Sequence, residues 1–245
     1  MIELALPLIY LIASILLFIE HRYPAHHNVV SKQWYIRAIV INALQLLVFI
    51  VFNSLWSKHV DAWSLFSLNN VMAAPANAFL DYFIFTFVVY WWHRLRHHSA
   101  TIWRIFHQLH HSPQRIQTLT AYYIHPLDMI ANLLISNSIV FLLLGLDLET
   151  AAWYTLFTGT AGFLIHANIR LPRQVGYIFQ TPEMHRLHHK SNHHAHNYSD
   201  IVCWDMLFGT YCNPSKNVNA CGFDKHYEHK VIPMLLGKNI FTTKE

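Results

Sequence analysis

Charge is what this chain has least of. Lys, Arg, Asp and Glu make up 12% of its 245 residues, about half the usual share of a soluble domain. An ordinary water-facing surface over most of the chain is thereby excluded. The 17 Lys and Arg exceed the 13 Asp and Glu only modestly, and they are spread rather than massed. With apolar residues at 54%, this is not the electrostatic footprint of a nucleic-acid binder, and no nucleic-acid partner is expected. Cysteine is scarce too. Cys203, Cys212 and Cys221 are odd in number and form no CxxC pair, which excludes a zinc ribbon, a disulfide framework and a four-thiolate iron–sulfur site. They read as reduced thiols of a cytosolic region. There is no GxGxxG dinucleotide fingerprint and no haem-binding domain, so any redox chemistry needs an outside donor.

Long apolar runs are present instead. Residues 4–20, 36–56 and 71–92 are each close to the roughly 20 residues that cross a bilayer. The first is preceded by Glu3 and followed by Glu20-His-Arg-Tyr-Pro; without a basic leader or a small-residue cleavage site it reads as a retained helix, not a signal peptide. Residues 129–146 and 151–166 are shorter and are expected to form a helical hairpin. Asp81 lies deep in the third run, too far from His93 to share its chemistry, and is expected to make a helix-packing hydrogen bond. If His93 faces the cytoplasm, only Lys58 among the 17 basic residues falls on the far side, together with Asp61, Asp147 and Glu149. This positive-inside bias puts the polar face on the cytoplasmic side. The expected fold is all-α: one integral-membrane helical bundle over 1–245, multi-pass, with a cytosolic helical cap.

Histidine is the residue in excess. Of 20, most lie between His93 and His196. His93 and His97 are spaced i, i+4. His107, His110 and His111 are spaced i, i+3, i+4, and His185, His188 and His189 repeat that spacing. On a helix such residues share a face and can point at one metal ion. Eight clustered imidazoles exceed the three or four of a single zinc site and suit two metals. The first cluster continues the third apolar run, so the metals should lie just outside the bilayer, where a lipid can reach them. His166, in His166-Ala-Asn168 at the end of the fifth run, joins the candidate ligands. His125, before Pro126, reads equally as a ligand or as a partner that holds one. His194 and His196 are weaker candidates of the same kind.

These pieces resemble the fatty acid hydroxylase superfamily, also called the sterol desaturase family. The matching residues are Tyr90-x-x-His93-Arg-x-x-His97, Trp103-Arg-x-x-His107-x-x-His110-His111-Ser112 and His125-Pro126-Leu127-Asp128. They continue through His166-Ala-Asn168, Thr181-Pro-Glu-Met-His185-Arg-x-His188-His189, Asn197-Tyr198 and Trp204-Asp205-x-Leu207-Phe208-Gly209-Thr210. They keep the family's order over roughly residues 80–212. Tyr123 where many bacterial relatives have Arg, Asp128 for a common Glu, and Ser199 after Asn197-Tyr198 for the usual Gly depart from the pattern without touching the ligands. The resemblance implies an integral-membrane oxidoreductase, a monooxygenase or desaturase of lipids, using two iron ions and O2. It implies metal ligation by His93, His97, His107, His110, His111, His166, His185, His188 and His189, with no catalytic side chain beyond the ligands. His125, His194, His196, Asn168, Asp128 and Asn197 are implied as further ligands or as partners that hold the ligands. Electrons are expected from a separate reductase, ferredoxin or cytochrome.

Two other classes compete. A membrane metal-binding or transport protein would carry ionisable residues along several membrane helices, and only Asp81 is placed so. A zinc-dependent membrane hydrolase would need a glutamate base beside its ligands, as in HExxH, and Glu183 is the only glutamate near a histidine box.

Overall fold

In the computed structural model, residues 1–27, 31–56, 63–193, 195–216, 218 and 220–241 are described. Three long helices come first: α1 (Ala5–Arg22), α2 (Lys32–Trp56) and α3 (Ala74–His98). Pro75 opens α3 in the first helical turn, where its missing N–H costs nothing. The helix then runs unbroken through Trp91 and Trp92 to His98, so the first histidine pair stands on a continuation of an apolar helix, as expected.

After α4 (Ala100–Ile102) the chain widens into a π-helical turn at Trp103–His107. Helix α5 (Pro126–Asn137) passes directly into a second π-helical stretch, Ser138–Leu143, and α6 (Leu148–His166) returns. Asp147 caps α6 by accepting the Thr150 N–H at 2.8 Å. Beyond it, the described residues hold a 3-10 turn at Arg173–Tyr177 and the short helices α7 (Pro182–His188), α8 (Cys203–Leu207), α9 (Lys225–Glu228) and α10 (Val231–Leu235). Among the described residues there is no strand, only two isolated bridges, Phe179 with Ile201 and Lys190 with Cys221. The chain is all-α.

Helix α6 is central. It packs against α1 on one side and α3 on the other, while α2 packs on α5. Gly159 lets α1 approach: a Cβ there would meet Ile9 Cδ1 at 2.9 Å. Ala78, Tyr82, Val140, Phe141 and Tyr154 form one core between α3, α5 and α6, and Trp34, Ala38 and Ile41 of α2 meet Leu109 and Tyr123 in another.

Among the described residues, three helices are long and apolar enough to cross a membrane: α1, α2 and Pro126–Leu143. Their outward faces expose Leu11, Phe18, Ile39, Val40 and Leu55, the composition of a lipid-facing surface. Three runs of spanning length were expected, with 129–146 and 151–166 shorter; the first of that pair lies in Pro126–Leu143, which is long enough, whereas α3, like the shorter α6, is not among the three. Asn77, Asp81 and a basic end dilute α3, and Glu149 with four threonines and two glycines dilutes α6. Asp81 is fully buried, and neither of its oxygens has a hydrogen-bond partner. The helix-packing bond expected for it is not made.

Candidate metal centre

Nine histidines converge in two adjoining groups. His93, His97, His107, His111 and His188 form one, and His110, His166, His185 and His189 the other. Within each group the potential ligand atoms all lie within 4.8 Å of one another. The helical spacing alone suggested that each HxxHH box faces a single ion. The structure instead splits both boxes. His107 and His111 go to the five-histidine group and His110 to the other; His185 and His189 go to the four-histidine group and His188 crosses back. The i, i+4 members of each box stay together and the i+3 member leaves. Because the first of these boxes begins at the end of a π-helical turn and continues in a non-helical turn, ideal α-helical facing was not a guide there.

The ring orientations say what the groups can hold. In the four-histidine group, His166 Nδ1–H donates to the Gly162 carbonyl at 2.7 Å. His185 Nδ1–H donates to Gln180 Oε1 at 2.9 Å. That amide is oriented by its own Nε2–H, which donates to the Asn197 carbonyl at 2.6 Å. With the proton on Nδ1, each Nε2 carries a lone pair. Yet the two Nε2 atoms stand 2.8 Å apart. In the five-histidine group, His93 Nδ1–H donates to the Tyr198 carbonyl at 2.8 Å and His107 Nδ1–H to Asp128 Oδ2 at 3.3 Å. Their Nε2 atoms face each other at 3.0 Å. Two lone pairs pointed at each other across 3 Å repel unless a cation lies between them. Protonation does not supply that cation. Burial, reinforced by neighbouring histidines and, for His93, His107 and His110, by Arg96, pushes His93, His107, His111, His110, His185 and His189 well below the ordinary imidazole pKa. Neutral imidazoles with converging lone pairs are the donor set of a first-row transition metal, and two such sets fit two ions.

The supporting residues come from every part of the chain. Asp128, in the first turn of α5, is completely buried; besides His107 it accepts from Arg96 Nη1 at 2.6 and 2.7 Å. The Asn197-Tyr198-Ser199 loop is held by Asp205, which accepts the Tyr198 and Ser199 N–H groups at 2.8 and 3.0 Å. Asn197 itself sits in the left-handed region at φ +57°, and its amide joins the Met184 and Cys212 carbonyls. A short C-terminal segment clamps the two HxxHH boxes together. The Gly222 N–H donates to the His189 carbonyl and the Phe223 N–H to that of Ser112. At φ +70°, with the Pro113 carbonyl where a Cβ would go, position 222 admits only glycine without a shift.

The weaker sequence candidates fall elsewhere. His125 caps α5: its Nδ1 accepts from the Leu127 N–H and its Nε2–H donates to the Leu235 carbonyl, both at 3.0 Å. It belongs to neither group. His196 acts through its backbone, whose carbonyl accepts from His188 Nδ1–H at 2.8 Å, while its ring meets His193. Asn168 is bonded to the backbone of His26 and, through its own N–H, to Glu20. His194 lies outside the described residues, as do Lys58 and Asp61 of the charge argument. Glu183, the base a hydrolase would need, points to His26 Nε2 at 2.8 Å. Sequence reasoning missed Gln180, five residues before His185, and Arg96, which stands inside the first box beside His97.

A cavity of about 350 Å³ leads away from the histidines into the helical bundle. His93, His107, His110, His166 and His185 line one end, and Trp56, Phe141 and Leu148 the other. Exposed Tyr10 of α1 also lines it.

Comparison with known proteins agrees with this architecture. The fatty acid hydroxylase family model matches residues 78–210, more than half of the chain and the region that supplies all nine histidines. The chain belongs to the fatty acid hydroxylase family. It is 33% identical over 134 residues to the ornithine lipid hydroxylase OlsE of Rhizobium tropici, a match covering 53% of this chain and 40% of that protein. It is 26% identical over 160 residues to human alkylglycerol monooxygenase, covering 63% and 35%. It is 27% identical over 126 residues to the very-long-chain aldehyde decarbonylase GL1-9 of Oryza sativa subsp. japonica, covering 50% and 49%. The chain thus spans less than half the length of each of these relatives. No solved structure gives a significant match.

Proposed function

We propose that this chain is a membrane lipid hydroxylase that oxidises a C–H bond with O2. In this reading residues 1–245 form a single integral-membrane unit with the histidines at the cytoplasmic face. Two iron ions are held there, one by His93, His97, His107, His111 and His188 and one by His110, His166, His185 and His189. When bound, such a centre activates O2 for attack on an unactivated C–H. The observation that carries the reading is the pairing of two sets of neutral, lone-pair-facing imidazoles with an apolar cavity that reaches them. The family's hydroxylase and monooxygenase relatives support it.

The chain's own residues do the rest. The Tyr198 and Gly162 carbonyls, Asp128 and Gln180 lock the Nδ1 protons, so every Nε2 they govern is a ligand atom with a fixed direction. The cavity takes the lipid chain, keeps water from the reacting carbon and brings that carbon to the histidine end. Outer helix faces remain in lipid. Electrons come from a separate reductase, ferredoxin or cytochrome, because the chain carries neither thiolate cluster nor dinucleotide motif.

The test is metal analysis of anaerobically purified protein, followed by a lipid assay with O2 and a reductant. Iron in both groups and an oxygenated lipid are expected. Tight zinc with O2-independent cleavage would overturn the reading in favour of a hydrolase, and metal without any lipid product would favour storage or transport.

A further inference from the structure

The cavity is not a plain hydrocarbon slot. Three helices send polar side chains into its wall: α2 through Asn42, Gln45 and Asn53, α5 through Asn132, Ser136 and Asn137, and α6 through Thr155 and Thr158. Part of their donor capacity is already used. Asn42, Asn53 and Asn137 donate through Nδ2 to backbone carbonyls on their own helices. The hydroxyls of Ser136, Thr155 and Thr158 do the same. The wall also carries the amide oxygens of these residues.

Two of those oxygens are buried and unmatched. Gln45 is 1% exposed. Its Nε2–H donates to the Ile124 carbonyl at 2.9 Å, which fixes Oε1 as the other end of the amide, and Oε1 has no partner. Asn132 Oδ1 is likewise buried without a partner. A buried acceptor left unpaired costs about 1–3 kcal/mol, so two of them on one cavity wall call for an occupant that donates. Their depth is informative. Gln45 bonds at the level of Ile124, just before α5 begins. Asn132 lies one turn, about 6 Å, along α5 from Asp128, the partner of His107. Both oxygens therefore sit close to the metal end of the cavity.

We propose that the cavity takes a lipid whose buried part carries a hydrogen-bond donor, an amide N–H or a hydroxyl, received by Gln45 Oε1 and Asn132 Oδ1 next to the carbon that is oxidised. This rests on the lipid-oxidising reading and narrows its substrate class. It also assigns the two residues a positioning role: they set which carbon of the chain stops at the histidines.

The test uses two probes that differ only in the donor, the N-methyl amide and the methyl ester of one long-chain fatty acid. Equilibrium dialysis measures their binding to the metal-free full chain in lipid nanodiscs. The amide is expected to bind about tenfold tighter, the worth of one buried hydrogen bond. Gln45→Met with Asn132→Leu should bind both probes equally, with ester affinity kept within about twofold. Asn132→Leu alone leaves the Gln45–Ile124 bond in place and should lose part of the preference. Equal binding by the unmodified protein, as if ordered water already satisfied the oxygens, overturns the proposal. So does a preference that survives in the double variant. Because binding is read without metal, the answer is independent of catalysis: a donor preference with no oxygenated product sinks only the proposed function, and oxygenation with no donor preference sinks only this inference.

Discussion

One ligand candidate of the five-histidine group, His107, leans on an anion, whereas His185 and His166 of the four-histidine group lean on neutral oxygens. His107 Nδ1–H meets the Asp128 carboxylate, whose charge is shared with Arg96. His185 and His166 meet a side-chain amide and a backbone carbonyl. A carboxylate behind an imidazole makes it a more basic ligand than an amide does. The groups also draw on different parts of the fold. The first is built from the end of α3, the π-helical turn and α7; the second takes His166 from the end of α6, deep in the bundle. Sharing both HxxHH boxes and the Asn197–Tyr198 loop couples them, but Asp128 and Gln180 each serve one group. The two sites are therefore unequal, and each can be weakened by itself.

The strongest way to expose that inequality is to remove a ligand from each side in turn. His107→Ala and His185→Ala should each lower lipid oxidation to below about one hundredth, while each retains metal in the opposite group. Metal content per chain, measured alongside membrane insertion, checks this. If either variant keeps full metal and activity, the ligand assignment fails.

Next in size is the anion. Asp128→Asn should weaken metal binding by the five-histidine group about 10–100-fold and leave the four-histidine group near its original affinity. Arg96 would lose its buried partner, so a destabilisation of about 3–5 kcal/mol accompanies the change. A stepwise chelator titration reads the first effect and thermal unfolding the second. Equal weakening of both groups would erase the comparison. Gln180→Leu is the mirror experiment. It frees His185 Nδ1 and should cost the four-histidine group about tenfold, the smaller loss because the partner is uncharged.

Much of this was legible in the residues. The apolar runs gave α1 and α2 nearly at their ends, because lipid-facing helices need composition rather than partners. Eight of the nine ligand candidates were legible because imidazoles in repeated spacing are rare on a helix for any other reason, and His166 from its place at the end of the fifth apolar run. The division of labour within each HxxHH box was not. Spacing constrains which residues share a helical face, but π-helical widening at Trp103–His107 and the return of α7 decide which group each ring enters. Gln180, Arg96 and the Gly222 clamp were hidden for another reason: their partners are 5, 32 and 33 residues away in sequence, and no local pattern marks them. His125 stayed open because its position beside Pro126 marks a bend or a helix start without fixing its ring, whose nitrogens serve the cap and a distant carbonyl.

The acid response of the metal-free protein tests what the two groups share. Burial lowers the pKa of His93, His107 and His111 in one group and of His110, His185 and His189 in the other. The unfolded chain titrates these near about 6.5. Below that pH the unfolded state binds protons that the folded state refuses, so stability is complete above about 6.5 and is lost progressively as pH falls. The melting temperature of the metal-free protein should therefore drop between about pH 7.5 and 5.5. Bound metal should resist the change until protons compete for the same lone pairs. With the two groups supported differently, the first metal released on acidification should come from the four-histidine group, whose ligands lack an anion behind them. Simultaneous release of both ions would mean that the shared boxes, rather than the separate supports, govern the centre.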